Sequence, residues 1–217
     1  MRSADLMSRV SKKQLAVNVW DALTEEFPDS SCSLDTDRPE RLAIRGILSA
    51  QCTDVRVNLT AKDLFEKWPE LADIAAADIE DIAEMIRPVG LTGSKSKSVK
   101  TFAEKLTGEW GGEIPNDVDC LMEVPGIGRK IANLIVGEIY GTPAIVVDTH
   151  CKRVMYRIGI TDSKDPAGVE KDMMKVFEED KWIAIGHLSV DLGREYCTAK
   201  NPRCEECPLG AFCRRRV

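Results

Sequence analysis

The chain has 217 residues, 43% of them hydrophobic and 30% charged, and these proportions exclude collagen-like, low-complexity and wholly disordered proteins. Its formal net charge of −6 argues against a uniformly basic surface, so any site for nucleic acid must be local. No apolar run approaches the roughly 20 residues of a membrane span, and residues 1–5 do not begin a signal peptide, so we expect a cytoplasmic protein.

Helical periodicity dominates the chain. Between residues 14 and 27, apolar side chains recur every three or four positions, and Pro28 ends the segment. The same spacing predicts further helices at 39–51, 54–67, 79–86, 94–107, 118–124, 129–140, 149–158, 167–178 and 181–196. Only residues 144–147 read as extended, so the predicted fold class is all-α.

A glycine-punctuated turn, Pro125-Gly126-Ile127-Gly128, separates a short predicted helix from a longer one that begins at Arg129. Glycines permit positive φ and present no Cβ to an approaching backbone. The free N–H groups and the dipole at the start of the second helix favour an anion, so this helix-hairpin-helix could hold a DNA phosphate without reading sequence. Tight interhelical turns use the same residues for purely steric reasons, and the turn alone does not decide between the two interpretations.

Two charged residues extend this pattern. Lys130 lies in the first turn of the second helix, where a lysine can contact phosphate, act as a nucleophile in an enclosed site, or simply be solvated. Asp148 follows the extended run and is a natural N-cap of the next helix. A fixed, ionised carboxylate can stabilise the positive charge that develops on a sugar when an N-glycosidic bond breaks, although capping alone would also explain this aspartate.

Four of the eight cysteines lie in one C-terminal loop: Cys197, Cys204, Cys207 and Cys213. Four thiolates on short linkers can bind structural zinc or an iron–sulfur cluster. Zinc sites usually have two close cysteine pairs and this loop has one, so the spacing favours a [4Fe–4S] cluster. A redox pair at Cys204 and Cys207 would leave two thiols unused. The scattered cysteines are interpreted as small buried apolar residues: Cys32, Cys52, Cys120 and Cys151.

These segments together resemble the endonuclease III family of DNA base-excision glycosylases. The resemblance rests on motifs at 48–54, 86–91, 124–130 and 147–150 and on the four-cysteine loop, in the family's order. It covers most of the chain after Ala43 and implies a six-helix barrel domain at 33–141 that contains the hairpin. It also implies a second helical domain, built from 1–32 and 142–217 around a [4Fe–4S] cluster, with duplex DNA across the cleft between the two domains.

The resemblance makes Lys130 the nucleophile that attacks C1′ of the damaged nucleotide and Asp148 the carboxylate that assists. It implies a bifunctional glycosylase and abasic-site (AP) lyase that excises oxidised pyrimidines from duplex DNA and cuts the abasic strand by β-elimination through a lysine Schiff base. Gln51 matches the residue that fills the hole left by the extruded base, and Leu91 the wedge against the opposite strand. The other implied DNA contacts are Pro125, Gly126, Ile127, Gly128 and Arg129. The implied protein is a monomer, reaches the nucleoid through DNA and has no membrane partner.

The chain departs from the family pattern at two points. Ile131 stands where members commonly have Thr after the lysine, and Thr92-Gly93 stand where they have Tyr-Asn after the wedge leucine. These changes leave the basic chemistry intact and put the opposite-strand contacts in doubt. Two local basic patches are expected to offset the acidic total charge, one at residues 194–217 and one at Lys95, Lys97 and Lys100.

Two other functions fit parts of the same evidence. A monofunctional glycosylase that removes adenine or a mismatched base does not need Lys130. A non-enzymatic iron–sulfur module that binds DNA needs neither Lys130 nor Asp148. The presence of both residues favours the bifunctional enzyme.

Overall fold

The computed structural model describes residues 11–216. This range contains helices and no β-strand, which confirms the predicted all-α class, and residues 144–147 join two helices without forming a strand. No helix in the range is long and apolar enough to cross a membrane. Short 3₁₀ helices lie at Arg87–Val89 and Glu179–Lys181. The α-helices are α1 (Lys12–Glu26), α2 (Pro39–Leu48), α3 (Asp54–Lys67), α4 (Leu71–Ala76), α5 (Ile79–Met85), α6 (Thr92–Thr107), α7 (Val118–Met122), α8 (Arg129–Tyr140), α9 (Thr149–Ile158), α10 (Pro166–Met174) and α11 (Trp182–Glu195).

The described residues form two compact units. The hairpin unit is residues 32–142 and contains α2 to α8. The cysteine-loop unit combines residues 11–31 with residues 143–216, so both ends of the described chain belong to it.

In the hairpin unit, α8 contains a continuous buried run. All seven residues from Ile131 to Gly137 are buried. A Cβ at Gly46 of α2 would lie only 3.0 Å from Cγ2 of Ile131, so the absence of a side chain at Gly46 allows these two helices to approach closely. Ile131 therefore fills an apolar contact with α2, which accounts for an apolar residue directly after Lys130.

The cysteine-loop unit has its own apolar core, formed by α1, α9, α10 and α11. Leu209, which lies between two cysteines of the loop, is completely buried in this core and anchors the loop to the helices. Of the scattered cysteines, only Cys151 is fully buried here as predicted. The other three, Cys32, Cys52 and Cys120, belong to the hairpin unit and are only partly buried.

A partly buried ion pair stabilises the start of the hairpin unit. Arg45 of α2 is 4% exposed, forms an ion pair with Asp37 and donates to the backbone oxygen of Asp35 at 2.9 Å. Burial alone would raise the pKa of Asp37, but hydrogen bonds from Arg45 and Arg41 outweigh burial and hold that pKa below its usual value of 3.8. The ionised carboxylate is therefore the form that stabilises the fold.

The Asp37 carboxylate is predicted to make the free energy of unfolding depend on pH. Because Asp37 is 41% exposed, solvent screens the pair, and Asp37→Asn is expected to lower the free energy of unfolding by about 1 kcal/mol at pH 7. Because the pKa of Asp37 is lower in the folded protein, its carboxylate stabilises the fold at pH values above its usual pKa of 3.8. This stabilisation disappears as the pH falls through the lower pKa of the folded state. Urea unfolding between pH 7 and about pH 3 measures both effects. Asp63→Asn, at an exposed position of α3, is the control, and equal pH dependence in the two variants would contradict the assignment.

Candidate functional site

The predicted hairpin is present: α7 ends at Met122, the turn follows, and α8 begins at Arg129. Ile127 is 3% exposed and anchors the turn in the core. Gly128 is the N-cap of α8 and provides no side-chain hydrogen bond to the first turn of that helix. The turn therefore presents the positive end of a 12-residue helix without a capping side chain.

The two glycines of the turn have different roles. Gly126 has φ +87°, and a Cβ there would lie 2.4 Å from Oγ of Ser98 in α6, so packing and backbone conformation both require glycine. Gly128 has φ −90°, and a Cβ there would meet nothing within 4 Å. Gly128 therefore leaves room for an external group to approach, whereas Gly126 is needed for contact with α6.

Lys130 is exposed and lies directly before the buried run of α8. The pKa of the partly buried Cys32 thiol shows which charged groups lie near Lys130. Burial raises the pKa of Cys32 to about 11, a hydrogen bond from the backbone of Leu34 lowers it, Glu138 and Asp54 raise it, and Lys130 lowers it. Lys130 therefore shares its electrostatic environment with two carboxylates.

Asp148 is the N-cap of α9, as its position in the sequence predicts. Its Oδ1 accepts a hydrogen bond from the backbone N–H of Cys151 at 2.7 Å, and the residue is half-buried. This bond fixes the orientation of the carboxylate. Lys130 belongs to the hairpin unit and Asp148 to the cysteine-loop unit.

The two predicted DNA-inserting residues share an uncommon backbone conformation. Gln51 has φ +52° and Leu91 has φ +51°, and both are exposed. Outside glycine, the left-handed region is sparsely populated and costs energy, so such residues are often found at functional sites. In residues 11–216 the remaining example is Arg215. Leu91 is also one of the exposed large apolar residues, with 51% of its surface accessible.

Helix α6 connects the Leu91 turn to the hairpin. The carbonyl of Leu91 accepts hydrogen bonds from the backbone N–H groups of Ser94 and Lys95, at 3.2 and 3.0 Å, and from Oγ of Ser94 at 3.0 Å. One turn further along, Ser98 donates to the carbonyl of Ser94 at 2.9 Å and packs against Gly126. The Leu91 turn and the hairpin turn are therefore both fixed to the same helix.

The four clustered cysteines line one cavity of the cysteine-loop unit, together with side chains that include Arg157, Tyr196 and Leu209. Burial raises the pKa of Cys207 to about 11, a hydrogen bond from the backbone of Leu209 lowers it, and the other three cysteines raise it. Four thiolates at this position repel one another, so holding all of them ionised requires a cationic partner.

The arrangement of these cysteines fits an iron–sulfur cluster. In residues 11–216, no three His, Cys, Asp or Glu side chains form a group that could hold a single metal ion. Thiols spread around one cavity suit a cluster that takes one thiolate at each iron. Arg157 donates to Sγ of Cys197 at 3.5 Å, and the backbone N–H of Arg215 donates to Sγ of Cys213 at 3.3 Å. Burial raises the pKa of Cys213, and the hydrogen bond from the backbone of Arg215 acts in the opposite direction.

The predicted basic edge at Lys95, Lys97 and Lys100 is wrong. Lys95 is buried, and Lys100 donates to the carbonyls of Ala75 and Ala77 at 2.7 Å, which leaves Lys97 as the exposed member. The predicted basic patch at residues 194–217 offers fewer unpaired cations than its number of arginines suggests, because several of these arginines form ion pairs. Arg203 pairs with Glu195 and Glu206, Arg215 with Glu205, and Arg216 with Asp162.

The sequence analysis placed Lys95 in a basic patch and did not predict its burial or the role of Ser98, although one signal was available. Lys95 falls on the apolar stripe of α6 with Val99, Phe102 and Leu106, at spacings of four, three and four residues. A lysine in such a stripe predicts burial. The contact between Ser98 and Gly126 joins residues 28 positions apart and has no local signature.

Comparison with known proteins gives the family of the chain. Residues 44–179 match the model of the HhH-GPD superfamily of base excision DNA repair proteins, and residues 197–213 match the iron–sulfur binding domain of endonuclease III. Endonuclease III of Bacillus subtilis is 40% identical over 195 residues, which is 89% of each chain. Endonuclease III of Escherichia coli is 31% identical over 201 residues, 93% of this chain and 95% of that protein.

Solved structures show the same relationship. A trapped covalent intermediate of endonuclease III with DNA matches with a TM-score of 0.89 and 38% identity over 95% of this chain and 97% of that one. A thermostable thymine-DNA glycosylase matches with a TM-score of 0.77 and 23% identity over 92% of this chain and 94% of that one, which shows the shared fold. The chain therefore belongs to the endonuclease III family and is a bifunctional DNA glycosylase and AP lyase with a [4Fe–4S] cluster.

Proposed function

We propose that this protein, acting as a monomer, excises oxidised pyrimidines from duplex DNA, with Lys130 as the nucleophile and Asp148 as the assisting carboxylate. The observation that carries the proposal is the position of Lys130, exposed in the first turn of a helix whose N-cap, Gly128, has no side chain. A phosphate held at this helix start would bring the sugar next to the amine.

The proposed reaction has two stages. The neutral amine of Lys130 attacks C1′, the bond from C1′ to the base breaks, and the base leaves with a proton. The bond from C1′ to O4′ then breaks and O4′ takes up a proton, so the sugar ring opens and a protonated Schiff base joins the lysine to C1′. Loss of a proton from C2′ then expels the 3′ phosphate, and water releases the lysine. Positive charge develops on the sugar as the base leaves. A carboxylate that is already oriented, as Asp148 is by the N–H of Cys151, stabilises that charge without reorganisation.

Three turns supply the proposed DNA contacts. The hairpin residues Pro125 to Arg129 would hold a backbone phosphate, with Gly128 as the point of closest approach. Gln51 would fill the space left by the extruded base, and Leu91 would enter the opposite strand. Both Gln51 and Leu91 are exposed and have a left-handed backbone conformation. These two features support the assignments, because residues held in that conformation are often found at functional sites.

The two units have separate proposed tasks. The hairpin unit is the proposed barrel domain, expected at 33–141, and the cysteine-loop unit is the proposed cluster domain, expected at 1–32 and 142–217. Cys197, Cys204, Cys207 and Cys213 would hold the [4Fe–4S] cluster. When bound, the cluster supplies four iron–thiolate bonds that cross-link the loop.

Reductive trapping tests the nucleophile. With borohydride and a duplex that contains an abasic site, the natural protein is expected to form a covalent adduct, and Lys130→Ala is expected to lose it, because a Schiff base needs a primary amine. Lys97→Ala, an exposed lysine of the same unit, should trap normally. An undiminished adduct in Lys130→Ala would remove the assigned nucleophile.

The same assay distinguishes the other candidate functions. Release of adenine or a mismatched base without an adduct would indicate a monofunctional glycosylase. DNA binding without base release or strand cleavage would indicate a non-enzymatic module. A panel of duplexes with oxidised pyrimidines, mismatches and damaged purines then tests the proposed substrate class.

Substitution at the two hairpin glycines separates phosphate binding from folding. Gly128→Ala should fold normally but bind abasic DNA about tenfold more weakly, because its Cβ occupies open space beside the helix start. Gly126→Ala should instead lower the melting temperature, because its Cβ meets Ser98 and its φ is positive. Fluorescence anisotropy and thermal unfolding measure the two effects. Equal DNA affinity of Gly128→Ala and the natural protein would contradict the phosphate site.

The cluster ligands are tested by absorbance and iron content. The natural protein should absorb at about 400 nm and contain about four irons per chain, whereas Cys207→Ser should lose both signals. Cys120→Ser, at a partly exposed cysteine outside the loop, should retain them. A colourless protein with bound zinc would refute the cluster ligands.

A further inference from the structure

Lys95 is a buried lysine that the proposed mechanism does not use. It is 3% exposed and lies in the first turns of α6, and its Nζ donates to the backbone carbonyl of Val89 at 2.8 Å. In residues 11–216 no carboxylate forms an ion pair with it. Desolvation lowers the pKa of Lys95, and the Cys52 thiol nearby acts in the opposite direction.

Folding alone does not favour a lysine at this position. An amine taken out of water without a carboxylate partner is unfavourable, and the positive end of a helix makes it more so. Lys95 continues the apolar stripe of Val99, Phe102 and Leu106 on α6, so an apolar side chain of similar length would complete that stripe. Lys95 donates a hydrogen bond to Val89, which an apolar residue could not do.

That hydrogen bond fixes the turn which carries Leu91. The turn runs from Val89 through Gly90, which has φ +67°, to Leu91, which has φ +51°. The carbonyl of Leu91 is held by the first turn of α6, and the carbonyl of Val89 is held by Lys95. The two peptide units that flank Gly90 and Leu91 are therefore anchored to the same helix, and the exposed leucine between them has a defined direction.

We propose that Lys95 is a positioning residue that holds the Leu91 turn in the conformation in which Leu91 enters duplex DNA. The inference rests on the proposed function, which assigns Leu91 to the opposite strand. Preorganisation removes the cost of ordering the turn when DNA binds, and this benefit exists only where there is an opposite strand to enter. Lys95 therefore matters for duplex substrates and not for single-stranded ones.

Lys95→Met tests this inference, because methionine keeps an unbranched chain of similar length and removes the donor. We expect the melting temperature to be unchanged or higher, and AP lyase activity on an abasic duplex to fall by about tenfold, while activity on a single-stranded abasic oligonucleotide changes less than about twofold. The fluorescence of 2-aminopurine placed opposite the abasic site, which reports insertion at that strand, should fall as well. Lys97→Met removes the same charge from an exposed position of α6 and should behave like the natural protein.

A second pair of variants disturbs the turn from outside the core. A Cβ at Gly90 would meet nothing within 4 Å, so Gly90→Ala strains the left-handed turn without a clash and should reproduce the duplex-specific loss. Gly93 also has open space, and its φ is not positive, so Gly93→Ala is the matched control. These variants test the turn even if Lys95→Met folds poorly.

Leu91→Ala separates failure of this inference from failure of the proposed function. If Lys95 acts through Leu91, the variant that combines Lys95→Met with Leu91→Ala should be no less active on duplex DNA than Leu91→Ala alone. If Leu91→Ala alone has full duplex activity, the proposed wedge is wrong. If Leu91→Ala is impaired while Lys95→Met and Gly90→Ala retain full duplex activity, or lose duplex and single-strand activity equally, the positioning role is wrong.

Discussion

The start of α8 is the constraint on which the rest of the site depends. The buried run from Ile131 to Gly137 fixes the helix, and the close contact between Ile131 and Gly46 fixes its first turn against α2. Gly128 then leaves the N-terminus of α8 without a side-chain cap. The helix end is therefore rigid, positively polarised and open, and it holds Lys130 at the protein surface.

Helix α6 contacts both the hairpin turn and the Leu91 turn. Ser98 packs against Gly126 of the hairpin, and the first turns of α6 hold the carbonyls on both sides of the Leu91 turn. A change in the direction of α6 would therefore move the hairpin turn and the Leu91 turn together. This dependence is a physical reason for the buried polar groups Lys95 and Ser98 in a helix that could otherwise be apolar on its inner face.

The sequence predicts those features that depend on local pattern. Helical periodicity gives the all-α class, the Pro-Gly-Ile-Gly turn gives the hairpin, and the position of Asp148 gives the cap of α9. Long-range contacts have no such pattern: the contact of Gly126 with Ser98 and the burial of Lys95 depend on how helices pack. The basic edge at Lys95, Lys97 and Lys100 was wrong for this reason, because a charge count does not show which lysines donate to backbone carbonyls.

The most direct test of the account is to identify the residue that becomes linked to DNA. The protein is reduced with borohydride on a duplex that contains an abasic site, the adduct is digested with nuclease and protease, and the modified peptide is located by mass spectrometry. The account predicts a sugar remnant on Nζ of Lys130, because this amine follows the open start of α8. A remnant on another lysine, or on the amino terminus, would contradict it.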